Sequence, residues 1–193
     1  MNYFIKPGDA ILYMKVGAHA REGLEDIIAR KTKEIEDEGY ALWGYGGNTC
    51  HPETMVQPFA KAYVKKGQTV RLLMHPMNSS HFAEQIRADE FSIDGLKWKS
   101  IPKGINVLGS RFALKIRSLH ETDFDLPLHQ TVVAIGNSTG RSGHKYISGR
   151  VDKACLEVLD EAPILNEEKN PNAKIGLVAE LMDPYAVYLR NKA

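Results

Sequence analysis

Residues 21–38 read REGLEDIIARKTKEIEDE, and this stretch is the clearest helical pattern in the chain. Its apolar residues recur at the three- and four-residue spacing of one helical face, and acidic side chains stand in what would be the first turn, where the helix dipole favours them. Gly39 follows at once and can adopt the positive φ that commonly ends a helix. The sequence therefore predicts a helix over 21–38.

Segments rich in strand-forming residues lie on both sides of this helix. AILYMKV at 10–16 precedes it, and YALW at 40–43 follows it. Further strands are predicted at 104–109, 111–119, 131–136, 175–181 and 185–190. Because strands outnumber helices, we expect one α+β domain over 1–193 with a strand-helix-strand start, helices on one side, and a mostly antiparallel sheet that could be barrel-like.

Other segments are harder to assign. Residues 55–63 have a helical period, but Pro58 argues against a helix there, so we predict a hairpin of 59–65 with 69–75. Short helices are predicted at 79–88 and 152–162, a hairpin turn at Asp94-Gly95, and a surface loop at 163–173.

Composition and charge limit the class of partner. The 193 residues carry 25 basic and 24 acidic side chains, and a formal charge of +1 gives no electrostatic reason to expect duplex nucleic acid or a membrane surface as the partner. Cys50 and Cys155 match no metal or redox spacing and are expected to be free thiols. We predict a cytoplasmic protein without a bound cofactor or metal, for which a homo-oligomer is compatible with the sequence.

The first candidate site is GYALWGYGGNTCH at 39–51. Alternation along a strand places Trp43 and Tyr45 on the same face, where they could stack on a flat ring for about 1 to 3 kcal/mol per base. The glycines that follow would let backbone N–H groups approach a phosphate or a ribose. The predicted contacts are Trp43, Tyr45, Gly46, Gly47, Asn48 and His51. The alternative is that both aromatic residues belong to the core and the glycines form a bulge and a turn.

The second candidate is GNSTGRSGHKYISGR at 136–150, which follows an apolar strand. It lacks the spacing of a P-loop and of a dinucleotide-binding fingerprint, but its hydroxyl and basic groups suit an anion. The predicted phosphate-binding residues are Ser138, Thr139, Arg141, Ser142, His144 and Lys145. The alternative is a solvated hairpin loop.

The third candidate is a pair of H-x-T triplets, His120 with Thr122 and His129 with Thr131. If 112–122 paired with 129–135, the two histidines could act as general acid and base on a phosphodiester. The triplets are similar to the H-x-T and H-x-S motifs of the two-histidine phosphoesterases. In that family, however, the motifs lie in separate lobes, whereas here the histidines are nine residues apart, so membership is not assigned.

Three functions follow from these patterns. The favoured one is a binding protein for a nucleotide or a nucleotide-derived signalling molecule, acting as a sensor or by sequestration. The second is a phosphodiester or nucleotide hydrolase that uses the H-x-T pair, and the third is a structural or protein-interaction domain. Binding is favoured because Trp43, Tyr45 and the glycine turn are close in sequence, whereas the catalytic pair depends on an additional strand pairing.

Overall fold

A nine-stranded sheet with three helices forms the fold, and a computed structural model describes residues 5–147, 151–161 and 172–192 of it. The strands are β1 (Ala10–His19), β2 (Ala41–Tyr45), β3 (Arg71–His81), β4 (Glu90–Ser92), β5 (Trp98–Ser100), β6 (Phe112–Pro127), β7 (Thr131–Val133), β8 (Lys153–Val158) and β9 (Asn172–Arg190). The helices are α1 (Leu24–Glu38), α2 (Gln57–Lys65) and α3 (Gly143–Ile147), with a π-helical turn at Pro52–Val56 and a 3-10 turn at Leu128–Gln130.

The strands run in the order β2-β6-β9-β3-β1-β8-β7, and β4 adds to β9 and to β5. β1 and β3 pair in parallel, because the 51 residues between them (20–70) contain two helices and leave room for a crossover connection. The other neighbours pair antiparallel. The α+β class is thus confirmed, whereas the expected mostly antiparallel sheet is wrong: the sheet is mixed, and it does not close.

The first helix closely follows its sequence pattern. α1 covers most of the predicted range, and Gly39 caps it at φ 83° with its N–H bonded to the carbonyl of Ile35. Strands β1 and β2 flank α1 in the chain but are not neighbours in the sheet, since β1 pairs with β3 and β8, and β2 with β6.

The hairpin predicted for 59–65 with 69–75 is wrong in its first strand, whereas its second strand is confirmed from residue 71 as part of β3. Residues 57–65 form α2, and Pro58 lies in the first turn of that helix. A proline is tolerated there because its φ is already helical and the first N–H groups of a helix need no intrahelical partner. Phe59, Ala60 and Tyr63 then form the buried helical face that the periodicity had indicated.

The short helices predicted at 79–88 and 152–162 are wrong, because these segments contain strands and irregular structure. β3 continues to residue 81 because its end pairs with the end of β1, so no helix begins at 79. The segment from 153 forms β8 between β1 and β7, and all but one of its residues are buried. In both places, pairing within the sheet overrides the local helical preference.

Turns and loops agree with the sequence only in part. Asp94-Gly95 lies in the connection between β4 and β5, but that connection has five residues rather than two. The predicted strand at 104–109 is absent, and Leu108 makes a single bridge to Arg87. The predicted loop at 163–173 lies outside the described residues except for its last two, which begin β9.

The core is divided by the sheet. Leu12 and Met14 of β1 pack in a cluster with α1 and α2, whereas Ile11 and Tyr13 pack on the opposite face with Ile147 of α3. The prediction that the helices lie on one side of the sheet is therefore wrong, because α3 packs on the face opposite α1 and α2. The sheet is curved, because the turn after β2 reaches β8 although four strands separate them in the sheet, and the sulfur atoms of Cys50 and Cys155 are 3.9 Å apart.

Candidate functional site

A cavity of about 890 Å³ opens between the C-terminal half of β1, α1, β2 and the start of β8. Residues 46–49 of the glycine turn, which spans 46–50, and the segment 107–111 complete its wall. The curvature of the sheet creates this space, because it brings the turn after one edge strand over the centre of the sheet. The cavity joins residues far apart in sequence, which is why it could not be predicted from local patterns.

Trp43 and Tyr45 border this cavity and also belong to the core. Each is only 5% exposed, and the Tyr45 ring packs against Phe112 with the ring centroids 5.4 Å apart. The indole N–H of Trp43 has no hydrogen-bond partner among the described residues. The two residues share a face, as predicted, but they form a wall of the cavity rather than two open stacking surfaces. Burial raises the pKa of Tyr45 well above its ordinary value.

Gly44, between these aromatic residues, is required by close packing. A Cβ atom there would lie 2.2 Å from the Ser110 hydroxyl oxygen and 2.9 Å from a methyl carbon of Val107. The segment 107–111 can therefore lie directly against β2 and form the adjoining wall. His19 lines the same region, with its Nε2 3.1 Å from the carbonyl oxygens of both Leu108 and Gly109.

Basic side chains outnumber acidic ones around the cavity. The lining includes the cations Lys15, Arg30, Lys31, Arg111 and Lys153 and the anions Glu22 and Asp152. Arg30 pairs with Glu22, and Lys31 lies 3.1 Å from a carboxylate oxygen of Glu34. The Lys31 ammonium also donates to the carbonyl of Asn106 at 2.6 Å, and burial lowers its pKa to about 8.

Two of the cavity cations have no acidic partner within the described parts of the chain. These are Lys15, half-buried on β1, and Arg111, exposed just before β6. The Arg111 guanidinium lies 5.1 Å from the Phe112 ring centroid, and the positive charge of Lys15 contributes to lowering the pKa of His75, after burial. These two charges are available to an anionic ligand.

The predicted contacts from 43–51 divide into two groups. Trp43, Tyr45, Gly46, Gly47 and Asn48 line the cavity, whereas His51 does not. His51 instead packs against Phe112, and its Nε2 lies 3.2 Å from the Tyr188 hydroxyl. Its Nδ1 is buried without a hydrogen-bond partner.

None of the predicted phosphate-binding residues of the 136–150 segment lines the cavity, and residues 148–150 lie outside the described chain. The described part folds on itself: Gly140 N–H donates to the carbonyl of Val133, and the Thr139 hydroxyl donates to the carbonyl of Gly136. Ser138 accepts a bond from the N–H of Arg141 through its own carbonyl. Ser142, His144 and Lys145 follow, at the beginning of α3. The structure does not join this loop to the glycine turn in one cavity.

The strand pairing that the catalytic alternative requires is also absent. β6, with His120 and Thr122, pairs with β2 and β9, whereas β7 pairs with β8. His120 is exposed beside α1, and His129 is buried in the 3-10 turn. The Thr131 hydroxyl donates to the carbonyl of Leu128 at 2.7 Å, so it already serves the turn.

Metal ligands do not converge in the described residues: no group of three histidine, cysteine or acidic side chains is placed to hold an ion. The thiols of Cys50 and Cys155 are both buried and form no disulfide, but a hydrogen bond of 3.9 Å joins their sulfur atoms.

Sequence reasoning missed the cations on the strands. Lys15 is the only charged residue in the apolar run at 10–16, and Lys153 begins the buried strand KACLEV. Because charged side chains are rarely buried without a reason, a lysine inside or beside an apolar run is a signal for such a site. The sequence patterns had placed the phosphate-binding groups in a flexible loop instead.

Comparison with protein-family models, with curated proteins and with solved structures found no match to this chain. Within the described ranges, no helix combines the length and the apolar character needed to cross a membrane. The site must therefore be interpreted from its own geometry.

Proposed function

We propose that the chain binds an anionic molecule with a flat ring, of the nucleotide or nucleotide-derived signalling class, and acts as a sensor or by sequestration. The observation that carries the proposal is the cavity, in which Trp43 forms a wall and Lys15 and Arg111 have no acidic partner among the described residues. Ligand cavities usually measure about 300 to 1,000 Å³, so about 890 Å³ is large enough for a nucleotide.

The electrostatics favour an anion. Arg30 and Lys31 are already paired with carboxylates, so they add little attraction, whereas Lys15 and Arg111 can form charge-assisted hydrogen bonds with phosphate oxygens. Such bonds are strengthened in a partly enclosed site, where the effective dielectric constant is below that of water.

The aromatic part of the proposal depends on Trp43. Its indole N–H has no partner in the described chain, so a ring nitrogen or carbonyl of a ligand can accept a hydrogen bond from it. The remaining exposed surface of the ring allows an apolar contact with a base, although its burial restricts how much of the ring can stack.

Thermal unfolding in the presence of mono-, di- and cyclic nucleotides and dinucleotide cofactors tests the proposal. A ligand at one hundred times its Kd adds about 2.7 kcal/mol of stability, which corresponds to a rise in Tm of roughly 5 to 10 °C for a chain of this size. Each ligand is then recovered and analysed by chromatography. We expect intact ligand, whereas altered ligand would favour the hydrolase, and no shift with any compound would refute the nucleotide class.

A variant pair locates the binding. Lys15→Met with Arg111→Met removes both unpaired cations and should reduce the shift, since an anion would then lose two charge-assisted hydrogen bonds. The matched control, Lys61→Met with Lys103→Met, removes two exposed lysines outside the cavity lining and should leave the shift unchanged. Equal losses in both variants would contradict a site at this cavity.

A further inference from the structure

Lys153 is a buried cation at the edge of the cavity. It is the first residue of β8, its side chain is 6% exposed, and its ammonium lies 2.8 Å from a carboxylate oxygen of Asp152. The Asp152 side chain is 56% exposed, so the partner of this buried charge is itself largely in water. A buried ammonium group whose acidic partner is largely exposed to water attracts a second anion.

Residues 46–49 of the glycine turn line the same cavity as Lys153. The N–H groups of residues 46–50 donate to no acceptor within the described residues. Gly47 has φ 86°, and a Cβ atom placed on it would lie 3.2 Å from the Lys153 ammonium, so the turn packs directly against that charge. Successive unpaired amides beside a cation form the type of concave site that binds oxyanions.

We propose that Lys153 and the amides of 46–49 bind the phosphoryl group of the ligand. This inference rests on the proposed function and deepens it, because it replaces the loop at 137–145 by an oxyanion site built from β8 and the glycine turn. The chemistry is a charge-assisted hydrogen bond from the ammonium together with neutral hydrogen bonds from the amides.

Asp152 competes with the ligand for Lys153. In the free protein its carboxylate neutralises the ammonium; when a phosphoryl group arrives, the exposed carboxylate can turn to water while the buried ammonium stays in the site. The oxyanion then occupies the position of Asp152 and gains the amides of the turn, which the carboxylate does not contact.

The position of this site fits the rest of the cavity. The Lys153 ammonium lies 6.0 Å from the Tyr45 ring centroid, and Trp43 is two residues from Tyr45 along β2, roughly 7 Å away. A ligand whose phosphoryl group contacts Lys153 can therefore reach Trp43 with its ring.

The test uses inorganic pyrophosphate as the probe, with titration calorimetry on the full chain. Lys153→Met keeps the length of the side chain without its charge and should weaken pyrophosphate binding about ten- to a hundredfold. The matched control is Lys66→Met, because Lys66 also lies over a tyrosine ring, that of Tyr63, but outside the cavity lining. The affinity of this variant for pyrophosphate should equal that of the wild type.

A second variant acts in the opposite direction and does not threaten folding. Asp152→Asn removes the competing carboxylate from an exposed position and should raise the affinity for pyrophosphate several-fold, whereas Asp160→Asn, also exposed, should not. Wild-type protein that binds no pyrophosphate, or Lys153→Met protein that binds it as well as the wild type, overturns the inference. Pyrophosphate binding that depends on Lys153, without a response to any nucleotide, would support the oxyanion site and refute the proposed function.

Discussion

The hydroxyl group of Tyr45 donates a hydrogen bond of 2.6 Å to the carbonyl oxygen of Cys50 and so closes the glycine turn on the strand that precedes it. The turn contains Gly47 and Cys50, both at positive φ, and its amides have no partner among the described residues. The Tyr45 bond is one of the contacts that hold the turn, together with the buried Cys50 side chain and its hydrogen bond to Cys155. Tyr45 therefore supports the site as well as bordering it.

Tyr45→Phe tests this role. The change removes one buried hydrogen bond and should lower the free energy of unfolding by about 0.5 to 1.5 kcal/mol. It should also weaken pyrophosphate binding, because the amides of the turn are less well ordered. Tyr13→Phe is the matched control: its hydroxyl lies 3.1 Å from His75 Nδ1 outside the cavity lining, so stability should fall without an effect on binding. Urea unfolding and calorimetry measure the two quantities, and equal binding by both variants would contradict the role of Tyr45.

Trp43→Phe, rather than Trp43→Ala, separates the two interpretations of the aromatic pair. Because Trp43 is nearly fully buried, we expect a loss of about 3 to 5 kcal/mol in the free energy of unfolding for Trp43→Ala, whether or not Trp43 contacts a ligand. Trp43→Phe retains an aromatic ring but loses the indole N–H. If a ligand accepts a hydrogen bond from that group, this variant should be folded and should bind more weakly.

The fluorescence of Trp43 itself tests the same contact in protein that retains this residue. The chain has two tryptophans, so Trp98→Phe leaves Trp43 as the only reporter. Quenching on addition of a nucleotide in this background places the ligand beside Trp43. A ligand that stabilises the protein but leaves this emission unchanged would show that the ring is a core residue alone.

Local sequence signals predicted the elements whose conformation depends mainly on adjacent residues. The pattern of α1 and the glycine after it describe one helix face and one cap, and both are properties of adjacent residues. Residues 153–158 depend instead on their surroundings, because they form a strand between β1 and β7. For 57–65 the difficulty was the position of Pro58, which is compatible with a helix only because it lies in the first turn.

The same distinction applies to the site. The sequence indicated Trp43, residues 45–48 and His51 because they lie close together in one segment, and all of these except His51 line the cavity. Lys15, Arg111 and Lys153 come from three other segments and reach the cavity only through the curvature of the sheet. The loop at 137–145 had the right composition for an anion, but composition does not determine where a loop points.

Lys31→Met tests the buried ion pair below the cavity. Lys31 and Glu34 are 2% and 3% exposed, and removal of the lysine leaves a buried carboxylate whose other contacts are the Asn106 N–H at 2.8 Å and Arg30 at 3.7 Å. Breaking a buried pair in this way costs about 3 to 5 kcal/mol, and we expect the lower end because Arg30 compensates in part. Lys33→Met removes an exposed ion pair on the same helix and should change stability little in the same urea titration.

The pH dependence of Lys31 has a definite sign. Burial lowers its pKa from 10.5 to about 8 in the folded protein, so between these values the unfolded chain binds more protons. The contribution of Lys31 to stability therefore rises as the pH increases from about 8 towards 10.5. The buried phenol of Tyr45 has a raised pKa and acts in the opposite direction, so the comparison must be made between wild type and Lys31→Met. The stability difference between them should widen with pH, and a constant difference would contradict the lowered pKa.

The thiols of Cys50 and Cys155 should be unreactive in the native protein although their sulfur atoms are only 3.9 Å apart. Thiolates are the reactive form, and burial raises the pKa of Cys155 well above its ordinary value, so few Cys155 thiolates form at pH 8, while Cys50 is protected by its complete burial. Iodoacetamide should therefore modify neither residue before unfolding and both after it, as mass spectrometry can follow.

Cys50 ends the glycine turn, so rapid modification of Cys50 alone in native protein would show that the turn opens frequently. Such a result would remove the support that a preorganised turn gives to the oxyanion site. Protection of both thiols, maintained or increased by pyrophosphate, is the expected result.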